Sequence, residues 1–85
     1  MKKEPQLHDD YYYYDIVRKN IKKYRKLANL TQQELADLID VSMHYIQQIE
    51  TAKPNKYFTL VIIGRIADAL NIDIRQLFDS IEPTK

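Results

Sequence analysis

The spacing of apolar positions predicts a succession of short helices. Val17, Ile21, Tyr24 and Ala28 recur at helical intervals, with Leu27 beside them, so one face of an amphipathic helix begins near Asp15. Asn29 ends that helix, because Asn tolerates the left-handed conformation that commonly follows one. Thr31 reads as an N-cap, and Glu34 three residues on completes a capping box. Leu35, Leu38 and Ile39 supply the apolar stripe of a second helix, and Asp40 suits a left-handed turn after it. Ser42 caps a third helix with Ile46 and Ile49 facing inward and Val41 packing from the turn. Thr51 to Tyr57 reads TAKPNKY, a loop built on Pro54 and Asn55. Thr59 caps a fourth helix carrying Leu60, Ile63, Ile66, Ala67 and Leu70 on one side, and Asn71 closes it as Asn29 closes the first. Asp73 caps a fifth, shorter helix holding Ile74, Leu77 and Phe78. The expected organisation is a mobile tail over residues 1–10, one domain over 11–81 and a frayed end over 82–85.

Composition narrows the fold class. Leu, Ile, Val and Phe make up 24 of the 85 residues, above the fifth below which disorder becomes the default. There is a single glycine, Gly64, and three prolines, too few turn residues for an all-β domain. Glycine-rich phosphate loops are excluded for the same reason. An all-α fold of five helices follows. The absence of cysteine removes disulfides, thiolate metal sites and cysteine nucleophiles, and is compatible with a cytoplasmic location. The longest apolar run, Leu60 to Ile63, is far short of a membrane span. No paired carboxylates, Ser–His arrangement or metal-ligand spacing appears, and His44 has no second ligand one turn away. Neither enzymatic activity nor a cofactor is expected.

The informative segment is Leu30 to Glu50, LTQQELADLIDVSMHYIQQIE. Two short capped helices are separated by a three-residue turn, and Ala36 permits a close approach of their axes. Burying Ile46 and Ile49 leaves Met43, His44, Gln47 and Gln48 pointing outward. This is a hydrogen-bonding, uncharged surface where lysines and glutamates usually stand. Glutamine pairs with both the N6 donor and the N7 acceptor of adenine, and the major groove admits a helix.

The segment resembles the helix-turn-helix domain of lambda-repressor and Cro type, the xenobiotic-response-element family of regulators. Thr31-Gln32, Leu35-Ala36, Val41-Ser42 and Ile49-Glu50 carry the pattern, Ile21 to Leu30 fits the preceding helix, and Thr59 to Phe78 fits the last two. The resemblance implies a sequence-specific DNA-binding transcriptional regulator, a homodimer on a palindromic operator in double-stranded DNA. It assigns base contacts to Met43, His44, Gln47 and Gln48 and phosphate contacts to Gln32, Ser42, Lys53 and Lys56. It makes Arg25 and Glu50 a structural pair. Asp40 stands where the family usually has Gly, and its charge would weaken binding if it faced phosphate. No room remains for a ligand-binding domain, so no small-molecule ligand is expected.

Three features admit two readings each. Arg18, Lys19, Lys22, Lys23, Arg25 and Lys26 form either the solvated face of a helix or a phosphate-contacting region, and a mixture is expected. Tyr11 to Tyr14 form either the opening turn of the first helix or an arm touching DNA or a second subunit. The run Leu60-Val61-Ile62-Ile63 covers nearly a full helical circumference, so Val61 and Ile62, with Phe78 and Ile81, form a dimer seam unless the tyrosine segment folds over them. An antitoxin-like or adaptor module, with DNA binding secondary or lost, is the alternative function that the acidic second helix favours.

Overall fold

Among the described residues the chain forms four α-helices and a 3-10 helix, and most of their ends are set by a side-chain or backbone bond within a few residues. The computed structural model describes residues 4–51 and 58–80. The elements are α1 (Tyr12–Leu27), α2 (Gln32–Ile39), α3 (Met43–Glu50), α4 (Leu60–Leu70) and the 3-10 helix Ile74–Phe78. The domain is all-helical among the described residues. Its fifth element corrects the expected α-helix: five residues between Asp73 and Asp79 are too few to propagate α-type bonding, and the tighter winding suits short pieces.

At the N-terminal ends, Thr31 Oγ1 accepts from the Glu34 amide at 3.0 Å, while Glu34 Oε1 accepts from the Thr31 amide at 2.8 Å. Ser42 Oγ accepts from the Tyr45 amide at 3.0 Å, and Thr59 Oγ1 from the Ile62 amide at 3.2 Å. Each bond satisfies an amide that the helix itself leaves unpaired. Asp73 caps the 3-10 helix, and the hydrogen bonds from Arg75 hold its carboxyl down at about 2.

The C-terminal ends share one device. Asn29, Asp40 and Asn71 adopt φ of 60°, 61° and 57°. The next amide then turns back: Leu30 donates to Arg25 O, Val41 to Ala36 O and Ile72 to Ala67 O, at 3.0–3.1 Å. Asn and Asp thus fill the left-handed position that glycine most often takes, which explains how one glycine suffices. Asp40 at this position is exposed and lines a shallow groove with Arg65 and Asp68, at the opposite end of α2 from Gln32.

Helix α1 starts three residues before the expected Asp15. Asp9 supplies the reason: its carboxylate accepts from the Tyr11 amide at 2.9 Å and its carbonyl from the Tyr12 amide at 3.2 Å. Tyr12 to Tyr14 therefore form the opening turn. The ring of His8 stacks on Tyr12 at 3.6 Å.

The core is built from Val17, Ile21, Leu35, Ala36, Ile39, Ile46, Ile49, Ile63, Ile66, Leu70 and Leu77. Helix α1 lies across α3, α4 and the 3-10 helix, while α2 packs on α3 and α4. Three leucines depart from expectation: Leu27, Leu38 and Leu60 are 60–68% exposed. On α2 the buried face is centred between Leu35, Ala36 and Ile39, which leaves Leu38 beyond its edge. One polar side chain is inaccessible: Asn20 Nδ2 donates to the carbonyls of Leu77 and Asp79 at 2.9 and 2.7 Å, tying the 3-10 helix to α1.

Candidate nucleic-acid interface

The geometry of α3 follows from its inward side. Ile46, Ile49 and Glu50 are buried, and at 100° per residue Met43, His44, Gln47 and Gln48 fall together within an arc of about 140° that begins beside Glu50. Met43 and His44 are exposed and the two glutamines half-buried. None of the four carries a carboxylate or an ammonium group. Tyr45, which the pattern of the sequence did not single out, lies between this face and the core. It is half-buried, and burial pushes its phenol above the ordinary value.

Behind α3 stands a charged node. Arg25 grips Glu50 through two parallel bonds, Nε to Oε2 at 2.6 Å and Nη2 to Oε1 at 2.9 Å. Arg25 Nη1 also donates to the carbonyl of Leu30 at 2.7 Å. Both residues are buried, so this fork ties the end of α1 and the α1–α2 turn to the end of α3. Gln32 joins the same carboxylate, its Nε2 donating to Glu50 Oε1 at 3.1 Å. An amide nitrogen has two hydrogens, so one remains for an acceptor outside the protein. Gln32 therefore stands half-buried on the first turn of α2, oriented by Glu50. Ser42 uses its oxygen as a cap, which leaves its hydroxyl hydrogen available. Of the residues assigned to phosphate, Lys53 and Lys56 lie outside the described residues, as does Ile81 of the expected dimer surface.

A second surface lies on another part of the molecule. Tyr13, Tyr14, Val17, Phe58, Leu60, Ile63 and Phe78 line an apolar groove of about 260 Å³. Tyr14 meets Phe58 edge-to-face at 5.1 Å. Tyrosines thus form a wall of the groove and leave Leu60, Val61 and Phe78 46–68% exposed. Of the other two residues of the expected dimer surface, Val61 is exposed and Ile62 packs partly on the core; neither lines the groove. Gly64 follows Leu60 and Val61 by one turn, and a Cβ there would meet nothing within 4 Å.

Among the described residues no three His, Cys, Asp or Glu side chains converge as a metal site, and no helix is long and apolar enough to cross a membrane.

Comparison with known proteins agrees with this geometry. The sequence model of the helix-turn-helix family matches residues 21–77. The control protein C.SmaI of Serratia marcescens is 32% identical over 63 residues, covering 74% of this chain and 73% of that protein. The crystal structure of the restriction-modification controller protein C.AhdI from Aeromonas hydrophila superposes with a TM-score of 0.68 at 28% identity, over 76% of this chain and 96% of that one. A hypothetical transcription factor from Neisseria shares the fold, with a TM-score of 0.74 at 22% identity over 94% and 90% of the two chains. With its capped helix pair, its Arg25–Glu50 fork and the family pattern matched from Ile21 to Leu77, the chain belongs to the helix-turn-helix family, of the xenobiotic-response-element type.

Proposed function

We propose that this DNA-binding transcriptional regulator acts as a homodimer on a palindromic operator, with α3 in the major groove of each half-site. The observation that carries the reading is the outward face of α3, where Met43, His44, Gln47 and Gln48, none of them a carboxylate or an ammonium group, present hydrogen-bonding and apolar groups. Base edges offer donors, acceptors and methyl groups that complement such a face. Gln32, Ser42, Lys53 and Lys56 contact phosphate in this reading, and the bond to Glu50 orients the second N–H of Gln32. Backbone amides at the N-terminus of α2 add to that contact. The chain works as a regulator rather than an enzyme, in the cytoplasm. The names of C.SmaI and C.AhdI support a controller role in a restriction–modification system.

Selecting bound sequences from a random duplex pool tests the reading directly, and two inverted half-sites are expected. On the selected operator, Gln48→Ala should weaken binding by about 1–3 kcal/mol while relaxing preference at one position of each half-site. A uniform loss across all sequences would mean that Gln48 contacts no base.

The dimer is proposed to close over the groove lined by Leu60 and Phe78, together with the exposed Val61 and the partly buried Ile62. Gly64 costs helix stability relative to alanine and leaves space for a second helix to approach closely. Two α3 helices would then stand about 34 Å apart, one turn of duplex. Because Val61 is exposed, Val61→Glu should leave the monomer folded, abolish the dimer in sedimentation, and reduce affinity for the full operator at least about tenfold through loss of bivalency. A Val61→Glu protein that still sediments as a dimer would remove this surface from consideration.

A further inference from the structure

The six cations between Arg18 and Lys26 are sorted by the structure into different uses. Arg25 is committed to Glu50 and Leu30, and Arg18 pairs with Asp15 at 2.9 Å. Lys19, Lys22, Lys23 and Lys26 remain, all exposed. Their spacing of three, one and three residues puts them in a single stripe along α1. That stripe is centred about 180° from the line of Val17, Asn20, Ile21 and Tyr24 that packs on the core. Among the described residues none of the four has a carboxylate at ion-pair distance. The recorded contact of the group is Lys23 Nζ over the Tyr24 ring, 5.1 Å from its centroid.

A stripe of this kind opposes helix formation. Each lysine faces like charges one turn away, at i+3 or i+4, which is destabilising. Asp15, one turn before Lys19 on the same face of α1, is taken by Arg18; the other neighbouring acids stand elsewhere, Glu34, Asp37 and Asp40 on α2 or its cap and Asp68 on α4. With a net charge of only +1, the positive charge on this face is segregated rather than surplus. Closely spaced anions relieve the repulsion, and a duplex carries one charge per about 1.7 Å of its axis. The stripe begins about 60° round α1 from Arg25, whose side chain reaches Glu50 and through it Gln32. Arg25 and Glu50 thus link α1, beside the stripe, to the first turn of α2.

We propose that Lys19, Lys22, Lys23 and Lys26 form a sequence-independent surface for the DNA backbone, holding duplex that flanks the bases read by α3. The flanking position rests on the operator reading above; the DNA-backbone chemistry of the stripe does not.

The test compares a duplex trimmed to the selected operator with one extended by ten base pairs on each side. The wild-type protein should bind the extended duplex about tenfold more tightly at 50 mM salt, with the advantage fading by 200 mM, as expected for about two extra phosphate contacts. The quadruple variant Lys19→Gln/Lys22→Gln/Lys23→Gln/Lys26→Gln should melt at or above the wild-type temperature, match it on the trimmed duplex and gain nothing from the flanks. A His44→Ala/Gln48→Ala protein should lose sequence preference and keep the flank gain. If selection returns no preferred sequence, the operator reading fails by itself, and the stripe is then judged by the salt slope on a random 40-base-pair duplex, which should fall by about two in the quadruple variant. The proposal is overturned if that variant keeps the flank gain, if it loses affinity equally on both operator duplexes, or if it loses binding to polyglutamate while its binding to extended DNA is unchanged. Should the quadruple variant melt early, the pair Lys19→Gln/Lys23→Gln is expected to show half the effect, and an undiminished flank gain there also overturns the proposal.

Discussion

Glu50→Ala should cost about 3–5 kcal/mol of folding stability, the range for breaking a buried ion pair by removing one partner. The loss is large because the substitution removes the acceptor of three donors at once. Arg25 Nε and Nη2 and Gln32 Nε2 all end on this carboxylate, and the guanidinium left behind is buried. A domain of this size is stable by only about 5–15 kcal/mol in total, so the melting temperature should fall by at least about 15 °C. Urea unfolding followed by helical circular dichroism checks the value. The companion variant Arg25→Met/Glu50→Leu removes both charges together and should recover most of the loss, because desolvating the pair offsets much of its attraction. It should nevertheless bind DNA less well than wild type, since Gln32 has lost the group that orients it. A Glu50→Ala protein within about 1 kcal/mol of wild type would show that the fork does not hold α1 to α3.

The parts of this structure that are legible in the sequence are those decided within one helical turn. Thr31, Ser42, Thr59 and Asp73 each cap a helix by bonding an amide two or three residues ahead. Asn29, Asp40 and Asn71 turn left-handed where the periodic pattern stops. The outward set on α3 follows from the same periodicity once Ile46 and Ile49 are placed inside. Pairs distant in sequence are a different matter. Arg25 and Glu50 stand 25 positions apart with no local signal joining them, and it is the resemblance to the family that implies their pairing. The bond from Gln32 to Glu50 depends on how α2 crosses α3, which no periodicity encodes. The exposure of Leu27, Leu38 and Leu60 depends on how wide a face each partner helix covers, a tertiary property. The start of α1 is not legible either, because the residue whose oxygens receive its first amides, Asp9, is polar and lies in a segment without periodicity.

Asn20 carries a signal in the sequence itself. It follows Val17 by three and precedes Tyr24 by four, so a polar side chain sits within the apolar line of α1 in the middle of a basic run. The structure makes it a latch. Its amide nitrogen donates both hydrogens, to the carbonyls of Leu77 and Asp79, while its Oδ1 is buried without a partner. Asn20→Asp keeps the shape, removes both donors and sets a carboxylate against two carbonyl oxygens. At pH 7 the variant should be less stable by about 3–4 kcal/mol, the combined cost of unpaired carbonyls and a buried charge. Burial and the facing carbonyls raise the folded-state pKa of this new carboxyl above its unfolded value. The folded state then binds the proton more tightly, so the deficit should shrink as pH falls through that raised pKa and grow as pH rises. Urea titrations at pH 5 and pH 7.5 measure the difference, and amide exchange should quicken first in Ile74–Phe78, the element the latch holds. Leu77 anchors that element in the core and Phe78 edges the groove proposed for the dimer, so release of the latch should also weaken dimerisation. An Asn20→Asp protein with wild-type stability at pH 7.5 would assign the attachment of the 3-10 helix to Leu77 alone.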